Sequence, residues 1–425
     1  MKTLQPIKCA TFVAALFLFL FTSAQDLSKT APENVGLSSE RLNHLTVTFQ
    51  DYIENKKLPG ASILVARKGK IAYFETFGKN DIENDIPMDN NSIFRIASQT
   101  KAIISVGIMM LQEQGKLLIT DPVGKYIPNF METTVAVGQE DGSYDIVKAN
   151  RPITIRDLLT HTSGVSYGEG TAADLWKEAK IQGWYFADRD EPILSTVNRM
   201  AALPFESQPG ERFVYGYNTD ILGALIEVVS GKPLDVFLKE NIFLPLGMYD
   251  THFYLPPDKK NRLAVVYSPT EEGLKPAPNP GGMVGQGAYI EGPRKSFSGG
   301  AGLLSTSMDY AKFLQMMLNK GTYNGKRIIS PKTVELMTVN HLGEVYFPWA
   351  RGTGFGLGFS IVEDLGDRGT PGSVGEYGWG GAYHSNYWVD PKEELVVVYF
   401  TQLIPSGAID DHGKLRTLIY QAIMD

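Results

Sequence analysis

The chain has 425 residues, of which 43% are hydrophobic and 20% charged, a balance that fits a globular protein and excludes disordered, collagen-like and polytopic membrane chains. Its single cysteine excludes a disulfide framework, a Cys-ligated zinc site and a cysteine-pair redox motif. A formal net charge of -7 without a long basic stripe argues against nucleic acid and a polybasic membrane-surface role.

In chain order, the first element reads as a leader. Lys2 and Lys8 precede an apolar run over residues 10–21, closed by the small residues Thr22, Ser23 and Ala24. This is the tripartite pattern of a secretory signal peptide. The run is too short for a membrane-spanning helix, which needs roughly 20 residues. Cleavage is expected after Ala24, and the product is expected in the periplasm or secreted, with no stable membrane span. Removing 24 residues leaves 401 and, with Lys2 and Lys8 gone, a net charge of -9. Cys9 leaves too, so the exported chain is cysteine-free.

A chain of that length exceeds the roughly 250–300 residues of one compact core, which predicts two lobes. Ser38 or Ser39 is placed to cap a helix with Leu42, Leu45, Phe49 and Ile53 on one face. Leu58-Pro59-Gly60 breaks it, and residues 61–67 and 71–77 read as a hairpin around Lys68-Gly69-Lys70. Residues 100–114 are apolar almost all round and predict a buried helix ended by Gly115. Asp141-Gly142 predicts a small hairpin within 132–152. Another helix is expected over 219–230, with Asn218 as its cap and Gly231 after it. Residues 255–297, rich in Pro and Gly, read as irregular loops over the active site. Strands over 387–389 and 395–401 and a last helix carrying Leu415, Leu418, Ile419, Ala422 and Ile423 end the chain. Strands at both ends with helices between predict one sheet built from both termini. The expected division is a sheet lobe over 27–95 and 295–425, a mostly helical lobe over 96–294, and an active site between them.

Several motifs are missing: no His-Glu-x-x-His, no Walker A and no Gly-x-Gly-x-x-Gly. Neither a metal nor an organic cofactor is therefore expected. Ser98-Gln99-Thr100-Lys101 is present at the entrance to the buried helix. Positions i and i+3 share a helix face, so Ser98 and Lys101 are adjacent. A serine needs a neighbouring base, and a lysine in apolar surroundings can serve as one. The pattern occurs on the order of once per chain of this size, so alone it reads as a cap and a snorkelling lysine.

Its surroundings are more specific. Phe94-Arg95-Ile96-Ala97-Ser98-Gln99-Thr100-Lys101, Leu158-Leu159-Thr160-His161-Thr162-Ser163-Gly164, Pro209-Gly210 with Tyr215 and Leu222-Gly223, Gly299-Gly300-Ala301-Gly302-Leu303-Leu304-Ser305, and Trp379-Gly380-Gly381 fall in the order of the serine β-lactamase-related superfamily. The chain resembles its class C β-lactamase, family VIII esterase and S12 DD-peptidase branch over roughly residues 35–405. The resemblance implies an antiparallel sheet flanked by helices plus a mostly helical lobe. It implies Ser98 as nucleophile, Lys101 and Tyr215 as proton carriers, and the backbone N–H groups of Ser98 and Ala382 as the oxyanion hole. Which of Lys101 and Tyr215 is the general base stays open.

Two departures bear on substrate. Tyr217 stands where the β-lactamases have Asn. Trp379 stands where a lysine pairs with a substrate carboxylate; tryptophan offers an apolar wall and one N–H donor. Arg294, Lys295 and Arg351 are the other cations considered for that carboxylate. Trp379, Gly380, Gly381, Tyr217 and His384 are the candidate substrate-binding residues, whereas His161 reads as part of a structural turn. The resulting expectation is a serine hydrolase acting on a small ester, amide or β-lactam-like substrate, with an esterase favoured. A β-lactamase or D-alanyl-D-alanine carboxypeptidase, an acyltransferase and a non-catalytic penicillin-binding sensor are the alternatives.

Overall fold

The structure, a computed structural model, describes residues 27–407 and 409–425; the expected signal peptide, with Cys9, lies outside them. Among the described residues, nine strands form one sheet: β1 (Ser28–Lys29), β2 (Gly60–Arg67), β3 (Lys70–Asp81), β4 (Ile86–Pro87), β5 (Thr353–Phe355), β6 (Ser360–Val362), β7 (Tyr377–Gly381), β8 (Ser385–Asp390) and β9 (Leu395–Thr401). Their order is β1-β3-β2-β9-β8-β7-β6-β5, with β4 on β3. The short β1 runs parallel to its neighbour and the other pairings are antiparallel. The two ends of the chain meet at its centre, where β9 pairs with β2 from Leu395 opposite Arg67 to Thr401 opposite Ala61.

Helices cover both faces of this centre, which is why β2 and β9 read as continuous apolar runs rather than alternating ones. Every residue of both strands is buried. Ile63, Val65, Val397 and Tyr399 meet helices α1 (Ser39–Glu54) and α5 (Asp411–Tyr420) on one side. Leu64, Ala66, Val396, Val398 and Phe400 face the larger core on the other side. That core holds α2 (Thr100–Glu113), α3 (Asn218–Ser230) and α4 (Ser307–Leu318). Ser38 caps α1 by accepting from the Arg41 N–H. Thr100 to Leu111 of α2 are all buried, as its all-round apolar sequence requires. The hairpin at Asp141-Gly142 forms between Thr134–Gly138 and Tyr144–Lys148, with Gly142 at φ +85°.

Three expectations need correction. Asn218 caps nothing: it is the first residue of α3, fully buried, with Tyr217 before it. The last helix ends at Tyr420, and Ile423 instead bridges to Leu37 beyond that end. Residues 255–297 are not wholly irregular and do not cover the cleft described below. They contain a short hairpin (Tyr267–Thr270 with Gly273–Pro276) and 3-10 turns over Pro257–Arg262 and Gly282–Val284. Gln286 is tied to Arg95, whose guanidinium donates to the Gln286 and Ala264 carbonyls.

Candidate active site

Ser98 lies in a 3-10 turn, Ala97–Gln99, directly before α2. Ala97 is held at φ +42°, a strained value for a residue with a Cβ, costing on the order of 1–3 kcal/mol. Lys101, the second residue of α2, is 2% exposed. Its Nζ donates to Ser98 Oγ (3.3 Å), to the Tyr167 hydroxyl (3.0 Å) and to the Gly300 carbonyl (2.8 Å). Three donor bonds are the number an ammonium offers. The ammonium also sits 4.6 Å from the centroid of the Tyr215 ring.

Tyr215 is fixed from three sides. The Trp379 Nε1–H donates to its hydroxyl at 3.1 Å. The His161 ring lies against it with centroids 4.7 Å apart, and Tyr167 meets it edge-on at 5.7 Å. Burial, reinforced by Lys101, holds His161 well below the ordinary histidine range, so it packs as a neutral ring. Its Nδ1 is 2.9 Å from Asn218 Nδ2, and Asn218 also bonds Ser163 Oγ and the Val214 carbonyl. Asn218 thus organises the His161–Gly164 turn behind Tyr215.

Strand β7 brings the other side of the site. A Cβ at Gly381 would stand 2.5 Å from the Ile96 carbonyl oxygen, so only glycine lets this strand lie against the turn that carries Ser98. The register of β7 on β6 ends at Gly378, which leaves Trp379, Gly380 and Gly381 unpaired on that side and open to a ligand. Ala382, the next residue, has no acceptor for its N–H among the described residues. The second position of a short helix leaves the Ser98 N–H free of an intrahelical partner as well.

Ser98, Tyr215, Trp379, Gly380, Gly381, Ala382 and His384 border one open cavity of about 460 Å³. Lys101 lies beneath its floor. Tyr217 does not belong to this set, which corrects its assignment as a substrate contact. It is fully buried, donates to the Gly183 and Tyr167 carbonyls, and stacks on Trp176. Tyr215 and Tyr217 are two residues apart at the entrance to α3, and the backbone sends them to opposite sides. Arg294 donates to the Leu255 and Ile290 carbonyls, Lys295 pairs with Asp190 and Arg351 with Asp367. None of the three borders the cavity, and no other Lys or Arg among the described residues does.

The sequence reasoning missed Tyr167, Trp184, Trp349, Ser385, Asn386, Ser406 and His412, which complete the walls. The aromatic run Tyr346-Phe347-Pro348-Trp349 was an available signal. Trp349 remains 53% exposed while packing 4.8 Å from the Tyr215 ring and 5.4 Å from the Trp379 indole. Tyr167 follows the His161–Gly164 turn closely but has no local pattern of its own. Burial pushes its phenol well above the usual tyrosine range, with Tyr215 and Asp220 adding to it.

His384 sits in the β7–β8 turn at φ +66°. Its Nε2–H points to both Asp411 oxygens, at 2.8 and 2.9 Å, and Tyr399 donates to the same carboxylate. Among the described residues, His384, Asp411 and His412 are the group with ligand atoms close enough to hold a metal, within 4.8 Å of one another. Their geometry does not suit an ion. The two imidazoles stack 4.2 Å apart at an interplanar angle of 13°, so their lone pairs lie in parallel planes and do not converge.

Comparison with known proteins bears on the family and the fold. The Beta-lactamase family model matches residues 45–420. An uncharacterized protein of Mycobacterium tuberculosis is 32% identical over 83% of this chain and 88% of its own length. Esterase EstB of Burkholderia gladioli is 30% identical over 85% of this chain and 91% of its own. Among solved structures, EstCE1, a hydrolase with promiscuous acyltransferase activity, superposes with a TM-score of 0.76 at 25% identity, covering 90% of this chain and 99% of that one.

Proposed function

The chain belongs to the Beta-lactamase family, and from that premise we propose that it is an exported serine esterase working through an acyl-enzyme. Ser98 Oγ bonds to the ester carbonyl carbon as its proton passes into the Lys101–Tyr215 pair. The backbone N–H groups of Ser98 and Ala382 hold the negative oxygen of the tetrahedral intermediate, commonly the largest electrostatic contribution to acyl transfer. The ester C–O bond then breaks, and the departing alcohol takes the proton back from the pair. Water attacks the acyl-enzyme, gives its proton to the same groups, and leaves a carboxylic acid and a restored Ser98 hydroxyl. Tyr167 steadies Lys101 through its hydroxyl.

One observation carries the choice of an ester. The position from which a cation would meet a substrate carboxylate holds Trp379, whose N–H is spent on Tyr215, and no Lys or Arg among the described residues borders the cavity. A β-lactam or a peptide C-terminus would forgo a charge-assisted hydrogen bond worth roughly 1.5–3 kcal/mol. An ester has no such charge to pair. The test compares the purified protein without residues 1–24 on p-nitrophenyl acetate and on a chromogenic cephalosporin, with Ser98→Ala as control. Ester turnover that Ser98→Ala abolishes is expected. Rapid cephalosporin turnover without ester hydrolysis would refute the substrate assignment, and an active Ser98→Ala would refute the mechanism. The likeness to EstCE1 supports acyl transfer as a second reading. It predicts that added short alcohols divert product from acid to new ester.

A further inference from the structure

Asp220 is the third residue of α3, five positions after Tyr215 and fully buried. Its Oδ1 accepts from Ser298 Oγ at 2.6 Å and from the Gly300 N–H at 3.0 Å, while its Oδ2 has no hydrogen-bond partner among the described residues. Gly300 turns its own carbonyl to Lys101 Nζ at 2.8 Å. One residue therefore links a buried carboxylate to the buried lysine. The fit leaves no slack: a Cβ at Gly300 would stand 2.4 Å from Asp220 Oδ2. The three oxygens that Lys101 contacts, of Ser98, Tyr167 and Gly300, are all neutral, so they do not offset its charge.

A buried ammonium without a counter-charge is costly, and a carboxylate one residue away supplies one. Burial raises the Asp220 carboxyl, and Ser298, Lys101 and Gly300 draw it back toward ionisation. Its charge also reaches the phenols of Tyr167 and Tyr217. The remaining groups facing Lys101 are Ser98, Tyr215 and the neutral ring of His161.

We propose that Asp220 is a positioning residue for the acyl-transfer site. Its carboxylate holds the Gly300 carbonyl against Lys101 and, through that contact, sets the charge balance of the Ser98–Lys101–Tyr215 group. This rests on the catalytic reading above. It does not depend on which of Lys101 and Tyr215 is the base. Both release a proton more readily when a neighbouring negative charge is removed.

Asp220→Asn is the discriminating variant, because it keeps the shape and the Oδ1 acceptor for both donors and removes only the charge. The acid limb of its kcat/KM profile on p-nitrophenyl acetate is expected to move to lower pH by about one unit or more, the size of a charge interaction across a buried peptide at an effective dielectric of about 20. A merely structural role would lower the rate at every pH and leave the limb in place. A folded variant whose limb stays put or moves upward overturns the proposal. If Asp220→Asn does not fold, Asp220→Ser removes the same charge, keeps a hydroxyl under Gly300 and is read the same way. An active Ser98→Ala would sink the esterase reading itself. An inactive Ser98→Ala with an unmoved limb in the Asp220 variant sinks this inference alone.

Discussion

Gly381→Ala tests whether the oxyanion geometry depends on contact between β7 and the nucleophile turn. The added Cβ would lie 2.5 Å from the Ile96 carbonyl oxygen, 2.9 Å from Ser385 Oγ and 3.3 Å from the Ile96 carbonyl carbon. Ordinary contact begins near 3.4 Å, so strand and turn must separate by about 0.9 Å. Ile96 lies two residues before Ser98, and Gly381 directly precedes Ala382. The gap therefore opens between the two N–H groups assigned to the oxyanion. A misplacement near 1 Å costs on the order of 10²-fold in rate, and loss of one oxyanion donor costs about 10²–10³-fold. Overpacking costs about 1–3 kcal/mol of stability. In a protein of this size that lowers the melting temperature by only a few degrees. Activity and stability should then separate: kcat/KM on p-nitrophenyl acetate falls about 10²-fold while the circular-dichroism melt shifts slightly. Gly380→Ala is the contrast, because its Cβ meets nothing nearer than the Ser385 carbonyl at 3.2 Å. A folded Gly381→Ala that keeps activity within about threefold of wild type would refute the oxyanion argument, given the donor contribution expected here.

Two other outcomes follow from the same structure. Tyr167→Phe leaves one N–H of the buried Lys101 without an acceptor, at about 1–3 kcal/mol, so kcat/KM should fall roughly 10- to 100-fold. Steady-state rates check this, and a smaller loss would reduce Tyr167 to a wall residue. His252 is pushed down to about 4, first by burial and then by Lys259. The unfolded chain, with an ordinary histidine near 6.5, takes up the proton first, so stability is lost as pH falls from there toward 4. The loss from this one group is about 2 kcal/mol by pH 5. Melting temperatures of His252→Gln should fall less steeply than those of wild type between pH 7 and pH 5. Equal slopes would remove His252 from the acid response.

Much of the site was legible because its signals are local. The spacing of Ser98 and Lys101 specifies one face of a helix entrance, and both residues fall there. The contact of Gly381 with the Ile96 backbone, by contrast, came only from the packing of strand on turn. Residues 61–67 and 395–401 read as strands, and they lie in β2 and β9. The failures come where a local rule had a tertiary competitor. Asn218 has the chemistry of a cap, but its amide serves His161 and Ser163 in the core. Tyr217 has the chemistry of a site residue, but its hydroxyl is taken by the carbonyls of Gly183 and Tyr167.

The sequence by itself determined the spacing of Ser98 and Lys101, the helices and strands that carry it, and the tryptophan at position 379. Hydrophobic period, capping chemistry and motif spacing are short-range properties, and they are written within a few residues of where they act. Only the tertiary structure decided which groups surround that motif. Lys101 meets Gly300, which is 199 positions away, and Trp379 meets Tyr215 across 164. Such partners share no local pattern, because they become neighbours only when the sheet and helices pack. Packing also decided that Arg294, Lys295 and Arg351 stand away from the cavity and that Asp220 lies beneath it, joined to Lys101 by a single glycine.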